Sequence, residues 1–295
     1  MDDLRGKVAV VTGAASGIGF ALSERFAAEG MGVVMADVEQ AALSEAAEML
    51  RTKGADVLSV LTDVSKADQV EALAARAEEQ FGAVHVVCNN AGVAGGGGPS
   101  WETALADWEW TLGVNLWGVI HGVRTFLPRM IAQGEGHMVN TASLAGLYTG
   151  GIGGPYSVSK YGVVALSESL YLSLQLQAPS IGISVLCPGW VNTRIGESDR
   201  NRPGGVDVSL KVDPMAQKAR KGLLRVLEAG MAPAQVAEKV VRAIHDNVFY
   251  VLPHDDEEWI APIRARMEDI LERRNPTLHP IPGTDVIMAA MFETD

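Results

Sequence analysis

Tyr156 and Lys160 stand four residues apart at the start of a stretch with helical periodicity, so both project from one helix face toward the same space. A phenol and an ammonium held together can move protons. An isolated tyrosine, with a pKa of about 10, is a poor proton shuttle near neutrality. Bringing that value down to about 7.5 requires roughly 3.4 kcal/mol. One cation about 4 Å away supplies about 4 kcal/mol at an effective dielectric of about 20, and Lys160 is the residue placed to do so. The spacing alone is common, so its weight depends on its surroundings. Ser143 follows the β-type run His137–Thr141, where a side chain at the strand end enters the crevice of an open α/β sheet. Asn115 lies within the helical run Trp110–Gly122.

Positioning these groups requires an alternation of strands and helices, and the chain has one. Short apolar runs at Val8–Val11, Val33–Ala36, Val57–Leu61, Val84–Asn89, His137–Thr141, Ile183–Cys187 and Val248–Leu252 read as strands. Amphipathic stretches at Ile18–Glu29, Ala41–Arg51, Lys66–Phe81, Leu105–Met130 and Tyr156–Gln177 are long enough to cross back over a sheet. The expected fold class is α/β, a Rossmann-type doubly wound parallel sheet with helices on both faces. Periodicity fades over Arg194–Asp213, a candidate mobile loop rich in charge, Gly and Pro. Pro214–Ala229, Ala234–His245 and Asp255–Arg274 then read as helices, and the tail Asn275–Asp295 is a candidate for packing against another subunit.

The first strand leads into Thr12-Gly13-Ala14-Ala15-Ser16-Gly17-Ile18-Gly19, a Gly-rich turn that opens a helix. Glycine permits positive φ and close backbone approach, and a helix N-terminus offers unpaired N–H groups and a favourable dipole to a pyrophosphate. Asp37 closes the second strand about 20 residues further on, where a carboxylate can accept both ribose hydroxyls of a dinucleotide. It would repel a 2′-phosphate, and neither Ala15 nor Val38 supplies a compensating cation, so NAD is expected over NADP. Asp63 and Val64, just past the third strand, could reach the adenine edge or form an exposed turn.

With Asn89-Asn90-Ala91-Gly92, Asn115, Ser143, Tyr156-x3-Lys160 and Pro188-Gly189 followed by Val191 and Thr193 in order after the Gly13–Gly19 loop, the chain resembles the classical short-chain dehydrogenase/reductase family over about Lys7 to Thr193. The resemblance implies one Rossmann-type domain with a seven-stranded sheet, an active site at the carboxyl ends of the strands, and a homodimer or homotetramer. It also implies roles. Tyr156 would exchange the proton with the alcohol or carbonyl oxygen, Ser143 would orient that oxygen, and Lys160 would hold the nicotinamide ribose and lower the tyrosine pKa. Asn115 would hold a relay water by its backbone or side chain. Asn90, Ala91 and Gly92 would support the cofactor cleft, and Val191 and Thr193 would contact the nicotinamide amide.

On that reading residues 1–295 form a single domain, with a substrate insertion at about 194–230 and a C-terminal extension at about 254–295. The substrate pocket would be lined by the segment after Ser143, Gly92–Gly98, Pro188–Trp190 and the loop from Arg194. Leu144, Tyr148, Ile152 and Trp190 suggest a partly apolar wall suited to a bulky, apolar secondary alcohol or ketone, and the run Gly95–Gly98 reads as a flexible rim. Arg194, Arg200 and Arg202 could bind an anionic group, though the acidic residues among them favour a solvated loop.

Composition excludes other classes. Of 295 residues, 47% are hydrophobic and 20% charged, the balance of a globular protein. A formal charge of −12 argues against a nucleic-acid partner, whose phosphates require clustered Lys and Arg. No apolar window reaches the ~20 residues of a membrane span, and the start lacks signal-peptide order, so a cytoplasmic enzyme is expected. Cys88 and Cys187 sit in apolar runs as buried thiols, and neither they nor the six histidines show metal-ligand spacing. Competing readings are a non-catalytic nucleotide-binding scaffold or sensor, which the intact Ser143, Tyr156 and Lys160 oppose, and a related reductase of carrier-linked 3-oxoacyl groups.

Overall fold

The structure, a computed structural model, describes residues 1, 3–96, 98–150, 153–204 and 214–292. Strands β1 (Val8–Thr12), β2 (Gly32–Asp37), β3 (Val57–Leu61), β4 (Val86–Asn89), β5 (Gly136–Thr141), β6 (Ile181–Leu186) and β7 (Tyr250–Val251) form one parallel sheet in the order β3-β2-β1-β4-β5-β6-β7. The seven runs read from the sequence are all present, the last shortened to two residues. β1 and β4 are buried along their whole length, as parallel strands covered on both faces must be.

Alternate side chains of each strand feed opposite cores, because the strand repeat is two residues. Ala9, Val11, Val33 and Met35 join a cluster with Leu22 and Phe26 of α1 (Gly17–Ala28), Leu43 and Leu50 of α2 (Gln40–Thr52), and Val240 and Ile244 of α8 (Pro233–Asp246). Val10, Val34 and Val87 face the other way. They pack with Leu73 of α3 (Ala67–Phe81), Phe126 of α5 (Gly118–Gln133) and Val163 of α6 (Gly154–Gln177). Burying each large side chain of this kind contributes roughly 1.5–3 kcal/mol, which holds the strand ends in fixed register.

Strand order reverses direction between β1 and β4, the switch point where a crevice opens outside the carboxyl ends. Thr12 is level with Ala36, Asn89 with Asn140, and Thr141 with Leu186, so these ends form one rim. The long helical run Leu105–Met130 is not continuous. It divides into α4 (Leu105–Leu112), a π turn at Gly113–Trp117, and α5. One extra residue in a turn is invisible to amphipathic periodicity, and such bulges favour functional positions. Asn115 sits at its centre.

Beyond β6, 3₁₀ turns span Arg194–Asn201, followed by α7 (Pro214–Glu228), α8, α9 (Glu257–Leu271) and α10 (Thr284–Phe292). The second half of the expected mobile loop, residues 205–213, lies outside the described residues. The tail packs on its own chain: a Cβ added at Gly222 of α7 would lie 2.7 Å from the Ile287 Cα of α10, so the two helices meet backbone to backbone.

Candidate active site

Thr12 and Asn90 build the floor of the crevice. The Thr12 hydroxyl accepts the Asn90 and Ala91 amides at 2.9 and 3.1 Å, while Asn90 Nδ2 donates to the Thr12 carbonyl at 3.0 Å. These bonds tie β4 to β1 directly beneath the Gly-rich loop. Gly13 has φ +67° and no room for a side chain, since a Cβ would lie 2.8 Å from the Ala91 Cα. The sequence marked Gly13 and Ala91; the hydroxyl of Thr12 that joins them was missed because its partners are nearly eighty residues away.

At the next turn Gly17, φ +56°, faces Thr193, whose Cγ2 would be 3.0 Å from a Cβ there. Ser16, Gly17, Thr193 and Arg194 line one groove. Ser16 occupies the N-cap of α1 without a side-chain cap bond, so the first-turn amides of Ile18 and Gly19 keep their anion-binding capacity. Asp37 is held in place: its Oδ2 accepts the Ala15 amide at 3.0 Å and its Oδ1 the Glu39 amide at 3.0 Å. Asp63 and Val64 are held by local contacts. Asp63 accepts the Ser65 amide at 2.9 Å, and Val64 packs under Gly118 while its carbonyl meets His121 at 2.9 Å.

The residues that could move protons converge at the ends of β4, β5 and β6. Lys160 is buried, 2% exposed, and its Nζ donates to the Thr141 carbonyl at 3.0 Å and lies 5.6 Å from the centroid of the Tyr156 ring. Burial pushes the Lys160 ammonium down to about 8. Burial also raises the Tyr156 phenol above its ordinary value, and the Ser143 hydroxyl, hydrogen-bonded to it, pulls the other way. Net, the phenol keeps its proton at neutral pH. A Cβ placed on Gly92 would stand 3.5 Å from Asn115 Oδ1 and 3.6 Å from Lys160 Nζ, so Gly92 separates the two polar groups.

Both ends of the Asn115 amide are occupied. Oδ1 accepts the Val93 amide at 2.8 Å, and Nδ2 donates to the Val93 carbonyl at 2.9 Å and to Ser159 Oγ at 3.2 Å. The side chain thus fastens the segment after β4 to α6. Ser159 in turn donates to the Tyr156 carbonyl at 2.6 Å, a link the sequence reading overlooked although Ser159 adjoins Lys160.

Pro188 and Gly189 join the same constellation. The Pro188 carbonyl accepts from the Leu144 amide at 3.0 Å and the Ser143 hydroxyl at 3.4 Å. Val191 is buried and bridges to Met231. Cys88 and Cys187 are buried free thiols, and burial pushes Cys187 up to about 12 and Cys88 higher still, which makes both unreactive.

The pocket walls differ from the sequence expectation. Leu144 and Tyr148 are buried with Trp259 in a small cluster of their own. Ile152 lies outside the described residues. Trp190 is partly exposed, with its indole N–H donating to the Pro282 carbonyl at 2.7 Å. Gly95 and Gly96 are not a loose rim: Cβ atoms there would lie 2.5 Å from Thr111 Oγ1 and 2.7 Å from Asp107 Oδ2, so the backbone is pressed onto α4. Gly98 has open space around it, and Gly97 is outside the described residues.

The loop arginines pair with carboxylates of the chain; Arg194 and Arg200 remain exposed, as expected of a solvated loop, and the Arg202 side chain is buried. Arg200 binds Glu39 at 2.6 Å and holds its carboxyl below the usual range, while Asn201 donates to the same oxygen at 2.9 Å. Arg194 pairs with Glu197 at 2.9 Å. Arg202 is buried between Asp107 and Asp199, with its guanidinium 4.6 Å from the Trp110 ring. Ser198 Oγ accepts the Ala94 amide at 2.9 Å. The segment Arg194–Arg202 is thereby tied to the loop after β2, the loop after β4 and α4, spanning the crevice.

Removing one partner of a buried ion pair costs about 3–5 kcal/mol, because the other charge is left without compensation. In Arg202→Ala the loss should appear as local opening of this segment, which lies outside the two main cores. Hydrogen exchange at the Ala94 amide, bonded to Ser198 of this segment, should accelerate by about 10²-fold, and an unchanged rate would show that the pair does not hold the segment.

An open parallel sheet with a Gly-rich turn at its switch point, and a tyrosine, lysine and serine meeting beside it, defines a dinucleotide-dependent enzyme of the Rossmann type. The model of the short chain dehydrogenase family matches residues 7–204, and the chain belongs to that family. It is 37% identical over 286 residues to a 1-deoxy-11-beta-hydroxypentalenate dehydrogenase of Streptomyces arenae, covering 95% of this chain and 93% of the relative. It is 32% identical over 289 residues to a CLA biosynthesis dehydrogenase/reductase of Lactiplantibacillus plantarum, covering 96% and 99%. Among solved structures, a short chain dehydrogenase/reductase from Burkholderia phymatum in complex with NAD superposes with a TM-score of 0.89 at 44% identity, over 94% of this chain and 98% of the other. The protein is an oxidoreductase of this family, and no helix among its described residues is long and apolar enough to cross a membrane.

Proposed function

We propose that the protein interconverts a secondary alcohol and a ketone with NAD(H), and that the observation carrying this is the meeting of Ser143, Tyr156 and Lys160 at one strand-end crevice. The residues fit a nicotinamide dinucleotide. Gly13, Gly17 and Gly19 let the turn close on Ala91, Thr193 and its own backbone where no side chain has room, the uncapped amides at the start of α1 suit a pyrophosphate, and Asp37 suits a ribose diol. Asn90, Ala91 and Gly92 support that turn; Pro188, Gly189, Val191 and Thr193 would face the nicotinamide end. Asp63 and Val64 would flank the adenine. When bound, the cofactor supplies or accepts the hydride.

The chain supplies the proton chemistry. Tyr156 donates its phenolic proton to the carbonyl oxygen in reduction and takes it back in oxidation, while the Ser143 hydroxyl orients that oxygen. Lys160 places its Nζ 5.6 Å from the Tyr156 ring centroid, and an ammonium at that range favours the phenolate. Both side-chain ends of Asn115 are engaged, and its backbone in the π turn would hold a relay water. The partly exposed indole of Trp190 favours a bulky apolar substrate, and the relative named for a hydroxypentalenate supports the same class. We read residues 1–295 as a single Rossmann-type domain that assembles as a homodimer or homotetramer and works in the cytoplasm.

A screen of bulky ketones and secondary alcohols, followed by NADH absorbance, tests the assignment; no turnover on any of them would defeat it. The pH dependence has a definite sign. A phenol raised by burial stays protonated from neutrality up to about pH 10, so its donation to a carbonyl should hold over that range and fall only above it. Alcohol oxidation needs the phenolate, so its initial rate should climb between pH ~7 and ~9.5. A flat oxidation profile over that range would remove Tyr156 as the base.

A further inference from the structure

We infer that His254 is a positioning residue for the active site, fixing the Pro188–Trp190 turn and through it the hydroxyl of Ser143. His254 stands between β7 and α9, in the C-terminal extension, and is 7% exposed. Its Nδ1 accepts the Gly189 amide at 3.1 Å, and its Nε2 meets the Trp190 carbonyl at 3.0 Å. A backbone N–H can only donate and a carbonyl only accept, so these partners assign the neutral ring with its proton on Nε2. One imidazole thus satisfies a donor and an acceptor on adjacent residues of the turn, and no other neutral tautomer can do so.

The turn is coupled to the proposed chemistry on its other side. The Pro188 carbonyl, one residue before the clamped amide, accepts from Leu144 N and Ser143 Oγ. Displacing Gly189 therefore moves the acceptor against which Ser143 is set. Trp259 of α9 closes the arrangement: its ring lies 4.6 Å from that of His254, and a Cβ on Gly189 would come within 2.5 Å of its Cζ3. The loop carrying His254 is held by Lys239 of α8, which donates to the Pro253 carbonyl at 2.7 Å and meets Asp255 at 3.3 Å.

The surroundings keep the ring neutral. Burial lowers its pKa most; the Trp190 carbonyl, Asp255 and Asp256 act upward, and the Lys239 ammonium acts downward, with the net shift below the ordinary histidine value. Protonation would replace the Nδ1 acceptor with a donor facing the Gly189 N–H.

The inference rests on the reading of Ser143 as the group that orients substrate. Its test compares His254→Phe, His254→Asn and His254→Gln in the full chain with a carbonyl substrate and NADH. Phenylalanine keeps the packing on Trp259 and loses both bonds. Asparagine places an amide oxygen near the Nδ1 position and can accept from Gly189; glutamine reaches the Nε2 position and serves only Trp190. Leaving a buried amide unpaired costs ~1–3 kcal/mol, which is about 5- to 150-fold in rate where it falls on the transition state.

The expected result is that kcat falls at least about tenfold in His254→Phe and His254→Gln, and stays within about threefold in His254→Asn. The Kd for NADH, from fluorescence titration, should change by less than about threefold in all of them. Wild-type kcat in the phenylalanine variant, or equal losses in the asparagine and glutamine variants, would overturn the inference. If the phenylalanine variant fails to fold, the asparagine and glutamine comparison decides alone. A wild-type protein that turns over no carbonyl defeats the parent reading, and that result is seen before any substitution is made.

Discussion

Replacing Tyr156 with phenylalanine is expected to lower carbonyl reduction by ~10²–10⁴-fold while leaving the Kd for NADH within about threefold of wild type. The substitution removes one oxygen and keeps the ring. Packing is preserved, so the loss reports the proton and not the fold. The size follows from the chemistry: an alkoxide forming beside the nicotinamide without a proton donor must take its proton from water, and positioned general acids contribute rate factors of this order. The effect should fall on kcat and on kcat/KM together, because the phenolic proton is transferred only in the transition state. Near-wild-type turnover would end the assignment of Tyr156, since Ser143 cannot donate at neutral pH without a proton source behind it.

Replacing Asp37 with alanine should change the choice of cofactor. The wild-type protein is expected to use NAD at least about 10²-fold more efficiently than NADP, and the variant should bring the two within about tenfold. The physical basis is charge. A carboxylate about 4 Å from a phosphate costs about 4 kcal/mol per unit charge at an effective dielectric of about 20, and Asp37 cannot swing away because the Ala15 and Glu39 amides hold its oxygens at 3.0 Å. The nearby cation does not reverse the sign, for Arg200 is already paired with Glu39. Equal kcat/KM for both cofactors in the wild type would refute the preference.

Much of the site could be read from the chain because its signals are local. Tyr156 and Lys160 lie one helical turn apart, so their common face follows from helix geometry alone. Gly13, Gly17 and Gly19 declare a tight strand-to-helix turn, since positive φ at Gly13 and Gly17 is accessible mainly to glycine. Continuous apolar strands separated by amphipathic stretches lead to a doubly wound sheet with little ambiguity.

Other features had no local signal. Arg202 reads as a charged loop residue, yet it is buried because Asp107, on a different element, offers it a partner. Asn115 reads as part of a regular helix, yet it sits in a π turn with its side chain buried against Val93 and Ser159. His254 has nothing in its neighbourhood of sequence to distinguish it from a surface histidine; its partners, Gly189 and Trp190, are more than sixty residues away.

The sequence by itself therefore determined the architecture, the Gly-rich turn and the Tyr156–Lys160 pair, because each depends on residues within one or two turns of backbone. Only the tertiary structure decided which charges are buried, which amide ends of Asn115 are spent, and how Ser143 is backed by Pro188 and His254. Those outcomes depend on groups brought to within about 3 Å by sheet register and core packing, and neither is written in the spacing of residues along the chain.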